Sequence, residues 1–521
     1  MTDFGPFSQQ SAARRVTKPG VESAGGVVVA QNRVAACVGA DVLAKGGNAV
    51  DAAIATAFAV GVVEPWMSGL GGGGAMLVQR PGAAPQAVDF TMVAPAGLDP
   101  AAYPLEAGAP DDDLFGWPPV TDARNLRGAT SVAVPGAAAG YGLALERFGS
   151  MGWADAIAPA VALAQQGLLC DWFAMLQIAS AAADLARYPA SAAAFLPGGQ
   201  PPGHPSPPTR IPRPDLAATL RTLAEGGPRA FYEGPIAEAL AADVAEDGGA
   251  LAAADLSAYE AEIREPLAIP FAAGTVHALP ELSGGPTMAR ALKALDGALP
   301  DAPDAAAHVA IAAALFESFA DRLARMGDEA GRRGESCTTH ISVVDREGTL
   351  VALTTTLLSA FGSRMVSPST GVLLNNGINW FDPRPGRPNS LGPGKRPLCN
   401  YNPALIETAE GRGAALGASG GRRIIGAITQ LAVDLARWGM DPETALAQPR
   451  VDVSGGPTLA YDPRFDAETT AALSQEFEAV PIPLAPLPNS YACPSIVMRD
   501  GARRLGAADP IHPWAEAVAP A

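Results

Sequence analysis

Hydrophobic and polar positions switch repeatedly between strand-like and helix-like spacing along this chain. Gly26 to Gln31 reads as a short β-branched strand, and Asn32 to Leu43 follows with helical spacing. Lys45-Gly46-Gly47 breaks that helix, and Asn48 to Val63 then runs almost wholly apolar. A helix apolar on every side is buried, here between a sheet and other helices. A glycine-rich loop, Gly69 to Gly74, leads into a strand at Ala75 to Gln79. The Pro/Gly-rich stretch 186–215 predicts a surface excursion. Helical patterns return from Asp215 to Asp247 and from Pro303 to Met326. At Thr338 the period becomes two, with strands predicted at Thr338 to Val344 and Thr349 to Leu357. A second set of helices and strands runs onward from Arg422. No fixed-period repeat is present. The pattern predicts a mixed α/β protein around a central antiparallel pair.

Composition narrows the function more than the fold. The 521 residues are 48% hydrophobic and 17% charged, as in a well-packed globular protein. A formal net charge of −17, with no Lys/Arg-rich run, argues against a nucleic-acid partner, which demands a basic face. The first 25 residues are polar, carry Arg14, Arg15 and Lys18, and show no apolar core of a secretory signal. The longest apolar stretch, Ala52 to Val63, falls well short of the roughly 20 residues that span a bilayer, so no membrane role is expected. Five cysteines, at 37, 170, 337, 399 and 493, are scattered without C-x-x-C spacing, which fits a reducing, cytoplasmic setting. The histidines at 204, 277, 308, 340 and 512 lack metal-ligand spacing, and neither a metal nor another cofactor is expected.

Three segments look like catalytic motifs. Gly69 to Gly74 matches G-x-G-x-x-G, but a dinucleotide site needs a strand before it and a helix after it. Here the order is reversed, and a close-packed or flexible turn is the better reading. Gly417-Ala418-Ser419-Gly420-Gly421 matches G-x-S-x-G between a short strand and a helix, the setting of a nucleophile elbow. The histidine that a triad needs downstream could only be His512, near the expected frayed end. The glycines alternatively let a helix N-terminus approach something anionic.

The third segment is the hairpin that begins at Thr338. A three-residue loop Arg346-Glu347-Gly348 pairs Asp345 with Thr349 and Val344 with Leu350. Counting outward, Thr338 faces Thr356, and opposed Cβ atoms about 4.5–5.5 Å apart let two threonines hydrogen-bond. By pattern alone both are ordinary strand threonines.

Over nearly its whole length the sequence resembles the γ-glutamyltransferase family. Gly46 to Ala53, Glu64-Pro65 and Gly69 to Gly74 resemble its N-terminal signature. Val134-Pro135-Gly136, Phe231-Tyr232-Glu233-Gly234 and Asp255-Leu256 follow in order. The most specific block is Thr338 to Gly362, continued by Leu373 to Asn376, Lys395-Arg396-Pro397-Leu398, Gly420-Gly421 and Gly506 to Pro510. The resemblance implies an α+β fold, the four-layer αββα sandwich of N-terminal-nucleophile (Ntn) hydrolases, made as an inactive precursor. It implies that the chain cuts itself between Cys337 and Thr338, leaving pieces 1–337 and 338–521 that stay together as one unit. Thr338 would then be the nucleophile, Thr356 would orient it, and Gly420 and Gly421 would offer N–H groups to the oxyanion.

The substrate-reading positions depart from the family. The family's arginine before an Ala-Pro pair corresponds to Thr91, and its paired serines to Cys399 and Asn400. Its polar or acidic positions that read an α-ammonium correspond to Leu358, Gly377 and Trp380. A γ-glutamyl head would therefore meet apolar walls, so a different, small or partly apolar acyl group is expected. Similar members act on small amides such as oxamate or on side-chain amides of β-lactams. Arg364 and Arg422 are candidates for an oxamate carboxylate, with surface solvation as their alternative role. The competing readings are true γ-glutamyl transfer in a rearranged pocket and a catalytically silent binding homologue. Partners are then a small-molecule amide and the chain's own two fragments, and a homo-oligomer stays open.

Overall fold

The computed structural model describes residues 18–108, 115–203, 208–327, 337–454, 456–485 and 490–521. Arg14, Arg15, His204 and most of the polar N-terminal stretch lie outside them. Two seven-stranded sheets form the centre. Their strands, in chain order, are β1 (Val21–Ser23), β2 (Gly26–Ala30), β3 (Gly73–Gln79), β4 (Gln86–Phe90), β5 (Glu262–Arg264), β6 (Leu267–Phe271) and β7 (Gly274–Ala278). There follow β8 (Cys337–Asp345), β9 (Leu350–Leu358), β10 (Ala404–Glu407), β11 (Gly413–Ser419), β12 (Cys493–Asp500), β13 (Arg503–Ala508) and β14 (Glu516–Val518). One sheet has the order β14-β2-β8-β9-β3-β4-β5, the other β1-β13-β12-β11-β10-β7-β6.

Alternation along each strand assigns the layers. Val27 and Val29 join Leu77, Ala352, Leu405, Ala415 and Val497 in a core between the sheets. Val28 and Ala30 point the other way, with Ile341, Val343, Val351 and Leu353. That outer face is covered by α1 (Arg33–Ala44), α2 (Ala49–Val63), α3 (Ala137–Phe148), α4 (Trp153–Gln166) and α5 (Pro214–Gly226). The second sheet turns Val276, Leu416 and Ile496 outward against α6 (Gly285–Leu295), α7 (Ala305–Asp321) and α8 (Arg423–Ala436). The layering is αββα, as the resemblance implies. Among the described residues no helix is long and apolar enough to cross a membrane.

The all-apolar helix is α2, and Ala49 to Val60 are buried without interruption. Its N-terminus carries a capping box, Asn48 with Asp51, and receives a third acceptor from the neighbouring sheet. The Ala49 N–H donates to Asp345 Oδ2 at 3.0 Å, while Asp345 Oδ1 accepts from the Thr349 N–H at 2.8 Å. One carboxylate thus ties the turn of the β8–β9 hairpin to the start of the buried helix.

The glycine-rich loop is close-packed. A Cβ on Gly72 would lie 2.2 Å from the Thr356 carbonyl oxygen, a separation no side chain tolerates. Glycine is required there because β3 lies directly alongside β9. Gly72→Ala should destabilise the protein by about 1–3 kcal/mol, read as a lower urea midpoint.

Two expectations need correction. The stretch 186–215 is partly built into the fold: Pro189–Phe195 is helical, Phe195 and Leu196 are buried, and Thr209–Ile211 pairs with Leu168–Cys170. Proline at a first helical turn is compatible with helix, which the proline count alone obscures. His512 does not fray, since β14 beyond it pairs with β2 and the ring is 7% exposed.

Candidate active site

The hairpin runs as predicted from Val344 opposite Leu350 to Thr339 opposite Thr355, then slips by a residue between Cys337 and Thr339. The slip places Thr338 at a β-bulge, which re-aims a side chain. Its hydroxyl still reaches Thr356, with the two Oγ1 atoms 3.2 Å apart. Thr338 lies on the strand face turned toward the second sheet, like His340, whose ring fills the space beside Gly417.

The peptide bond before Thr338 is held at its carbonyl. Thr338 Oγ1 donates to the Cys337 oxygen at 2.7 Å, and the Thr356 hydroxyl donates to the same oxygen. Thr356 Oγ1 in turn accepts the Leu358 N–H at 2.9 Å. Two hydroxyl donors on one carbonyl draw electron density from its carbon, and one of those hydroxyls belongs to the residue that could attack it.

Thr338 opens on a narrow cavity walled by Leu358, Trp380, Asn400, Tyr401, Gly421 and Ile424. Gly421 enters it because β11 ends at Ser419 and the chain turns sharply into α8. Gly420 and Gly421 hold φ of 134° and 60°, the second in the left-handed region where a side chain is strained. The N-terminus of α8, with its partial positive charge, follows directly.

Of the substrate-reading candidates, Leu358, Trp380 and Asn400 share the cavity with Thr338, and three others do not line it. Thr91 is hydrogen-bonded through Oγ1 to the Tyr401 hydroxyl. Cys399 is buried, and burial pushes its thiol up to about 12. Gly377 packs against Ala133, whose Cβ would lie 2.8 Å from an added one. Tyr401, Ile424 and Arg322 were not singled out from the sequence. Tyr401 is the residue after Asn400, so the motif pointed one position short. Arg322 gave no signal. It follows α7 in a single π-helical turn and, fully buried, donates to Asn400 Oδ1 at 2.7 Å. The two oxamate candidates are not solvated surface residues. Arg422 is 5% exposed and lies over the Phe115 ring, while Arg364 is part-buried near Asp184.

The other look-alikes find structural roles. Ser419 sits in a strand–turn–helix setting, but its Oγ accepts from the Gln31 amide. His512 lies instead against Glu64, with Nε2 3.6 Å from the carboxyl. His340 is held by Thr354 at 2.8 Å and Ser342 at 3.1 Å, and burial pushes its pKa down to about 3. Against an unfolded value of about 6.5, the unfolded chain binds a proton there that the native one refuses. Stability should therefore fall as pH drops from about 6.5 to 3, by up to roughly 1.4 kcal/mol per pH unit for this group. The loss of urea midpoint on acidification should be smaller in His340→Gln. Comparison of the two proteins isolates the histidine from Glu64 and Asp434, whose raised carboxyls act in the opposite sense.

Comparison with known proteins shows the family of the chain. The family model described as gamma-glutamyltranspeptidase matches residues 35–333 and 329–519. The chain is 36% identical over 473 residues to the acylase ACY 1 proenzyme of Pseudomonas sp. (strain V22), covering 83% of each. It is 30% identical over 483 residues to glutathione hydrolase 2 of Arabidopsis thaliana, covering 82% of this chain and 80% of that protein. In fold it matches the crystal structure of cephalosporin acylase from Bacillus halodurans, with a TM-score of 0.83, 23% identity, and coverage of 97% of this chain and 98% of the other. The chain belongs to the gamma-glutamyltranspeptidase family, as an Ntn-type enzyme of the amide-hydrolysing and acyl-transferring class.

Proposed function

We propose that this protein is a self-cleaving amidohydrolase in which Thr338, freed by cleavage of the Cys337–Thr338 bond, attacks small acyl amides other than γ-glutamyl compounds. The observation that carries the proposal is the grip of two hydroxyls, those of Thr338 and Thr356, on the Cys337 carbonyl. Attack of Oγ1 on that carbon closes a five-membered ring, and its collapse breaks the C–N bond to give an ester and a free α-amino group. Water opens the ester and leaves the Cys337 carboxylate. The naming of the acylase relatives as proenzymes supports processing of a precursor.

The new amine, with a reference pKa of about 7.7–8.0, accepts the hydroxyl proton as Thr338 attacks a substrate carbonyl. Thr356 orients the attacking oxygen. The Gly420 and Gly421 N–H groups at the approach to α8 stabilise the tetrahedral oxyanion, a contribution of roughly 10²–10³ in rate per donor. The protonated amine then passes its proton to the leaving nitrogen, and water releases the acyl group from Thr338.

The cavity walls argue for the substrate. Leu358, Trp380 and Ile424 are apolar, and the described wall residues carry neither a carboxylate nor an arginine. A zwitterionic glutamyl head would bury two charges without a charged partner among the described wall residues, at several kcal/mol. Attraction of its ammonium to Trp380, about 1–2 kcal/mol, is too small to offset that. Initial rates on γ-glutamyl-anilide and on anilides of short acyl chains test the point. The short acyl compounds should react at least tenfold faster in kcat/KM, and faster turnover of the γ-glutamyl compound would refute the specificity.

A further inference from the structure

Two residues in the walls of the Thr338 cavity carry buried hydrogen-bond donors with no acceptor among the described residues. Asn400 is 4% exposed and Trp380 2%, and neither Asn400 Nδ2 nor Trp380 Nε1 has a hydrogen-bond partner among the described residues. Both residues line the cavity that contains the candidate nucleophile.

The orientation of the Asn400 amide is fixed from behind. Arg322 is fully buried and donates to the Ser283 oxygen at 2.9 Å, the Cys399 oxygen at 2.9 Å and Asn400 Oδ1 at 2.7 Å. A guanidinium has donors only, so the amide must turn its oxygen toward Arg322 and its NH₂ away. Polarisation by the cationic partner strengthens that NH₂ as a donor. The indole of Trp380 is likewise donor-only, and the Trp380 backbone is held by Asn389 Nδ2, which donates to its carbonyl oxygen at 2.7 Å. Its ring meets Tyr401 edge-on at 5.9 Å.

We infer that Asn400 Nδ2 and Trp380 Nε1 form an acceptor-reading subsite, so that the acyl group taken by this enzyme carries an oxygen acceptor, carbonyl or carboxylate, and no ammonium. This rests on the reading of Thr338 as the nucleophile and names the substrate class of that site. A buried donor left without an acceptor costs about 1–3 kcal/mol, so an acyl end that supplies an oxygen recovers what a hydrocarbon end forfeits. A site built to hydrogen-bond its substrate rejects the analogue that lacks the bonding group more strongly than an apolar pocket rejects a change in size. Arg322 acts through Asn400 and is a positioning residue.

The test is a series of anilides of equal acyl length ending in a methyl group, a ketone oxygen, a carboxylate or an ammonium. In the unaltered protein the ketone or the carboxylate should exceed the methyl compound at least tenfold in kcat/KM, with the ammonium compound slowest. Whichever oxygen compound is faster tells a neutral acceptor from an anionic one. Trp380→Phe and Asn400→Leu should each lower the acceptor-to-methyl ratio about tenfold, and Arg322→Met should lower it through misorientation of the amide. The ratio is taken within one preparation, so partial misfolding of a variant does not move it. Equal rates on methyl and oxygen ends, or a ratio unmoved in both variants, would overturn the inference while Thr338-dependent turnover left the nucleophile in place. Absence of Thr338-dependent turnover on every compound would overturn both.

Discussion

Thr338→Ala is expected to leave the chain in one piece and to abolish amide turnover. The two losses have one origin. Before cleavage the Thr338 hydroxyl is the group placed against the Cys337 carbonyl, 2.7 Å from its oxygen. After cleavage the same hydroxyl is the proposed nucleophile, and its α-amine exists only because the bond was cut. Alanine removes the attacking oxygen from both reactions. Thr338→Ser restores an oxygen without the methyl group that restricts its rotamer, and should cleave and turn over more slowly. A background cleavage that survives in Thr338→Ala would belong to a contaminating protease. The same band appearing at equal rate in both proteins would remove Thr338 from the mechanism.

Thr356→Val should slow self-cleavage and turnover by about 10²-fold or more. Valine fills the same volume, so the change deletes one hydroxyl. That hydroxyl donates to the Cys337 carbonyl, meets Thr338 Oγ1 at 3.2 Å, and accepts the Leu358 N–H at 2.9 Å. The last contact adds a stability effect, because a buried N–H without an acceptor costs about 1–3 kcal/mol. The two effects separate in Thr356→Ser, which keeps all three contacts and should recover most of the rate. If Thr356→Val cleaves as fast as the unaltered protein, Thr356 is a strand residue and no more.

The elements around these threonines were legible because their sequence signals are local. Asn32 and Asn48 stand immediately before their helices and cap them, and Gly348 closes the hairpin turn with φ of 90°. The αββα layering followed from the resemblance, and the outward–inward alternation of Val27, Val28 and Val29 shows why the strands obey it. The bulge at Thr338 was not legible, because a one-residue slip leaves no mark in an alternating pattern. The cavity was legible only in part. Leu358, Trp380 and Asn400 were found by position in a family motif, whereas Tyr401 and Ile424 reach the cavity through packing between the layers. Arg322 is the clearest miss, since a lone arginine after a helix carries no sequence signal of being fully buried against Asn400.

The central claim is that Thr338 becomes an N-terminal residue. Intact mass and N-terminal sequencing of the purified protein test it directly. The account predicts two co-purifying pieces, the smaller beginning at Thr338, with the Thr338→Ala protein uncut. A single uncut chain in the unaltered protein, or a new N-terminus at any other residue, would contradict it.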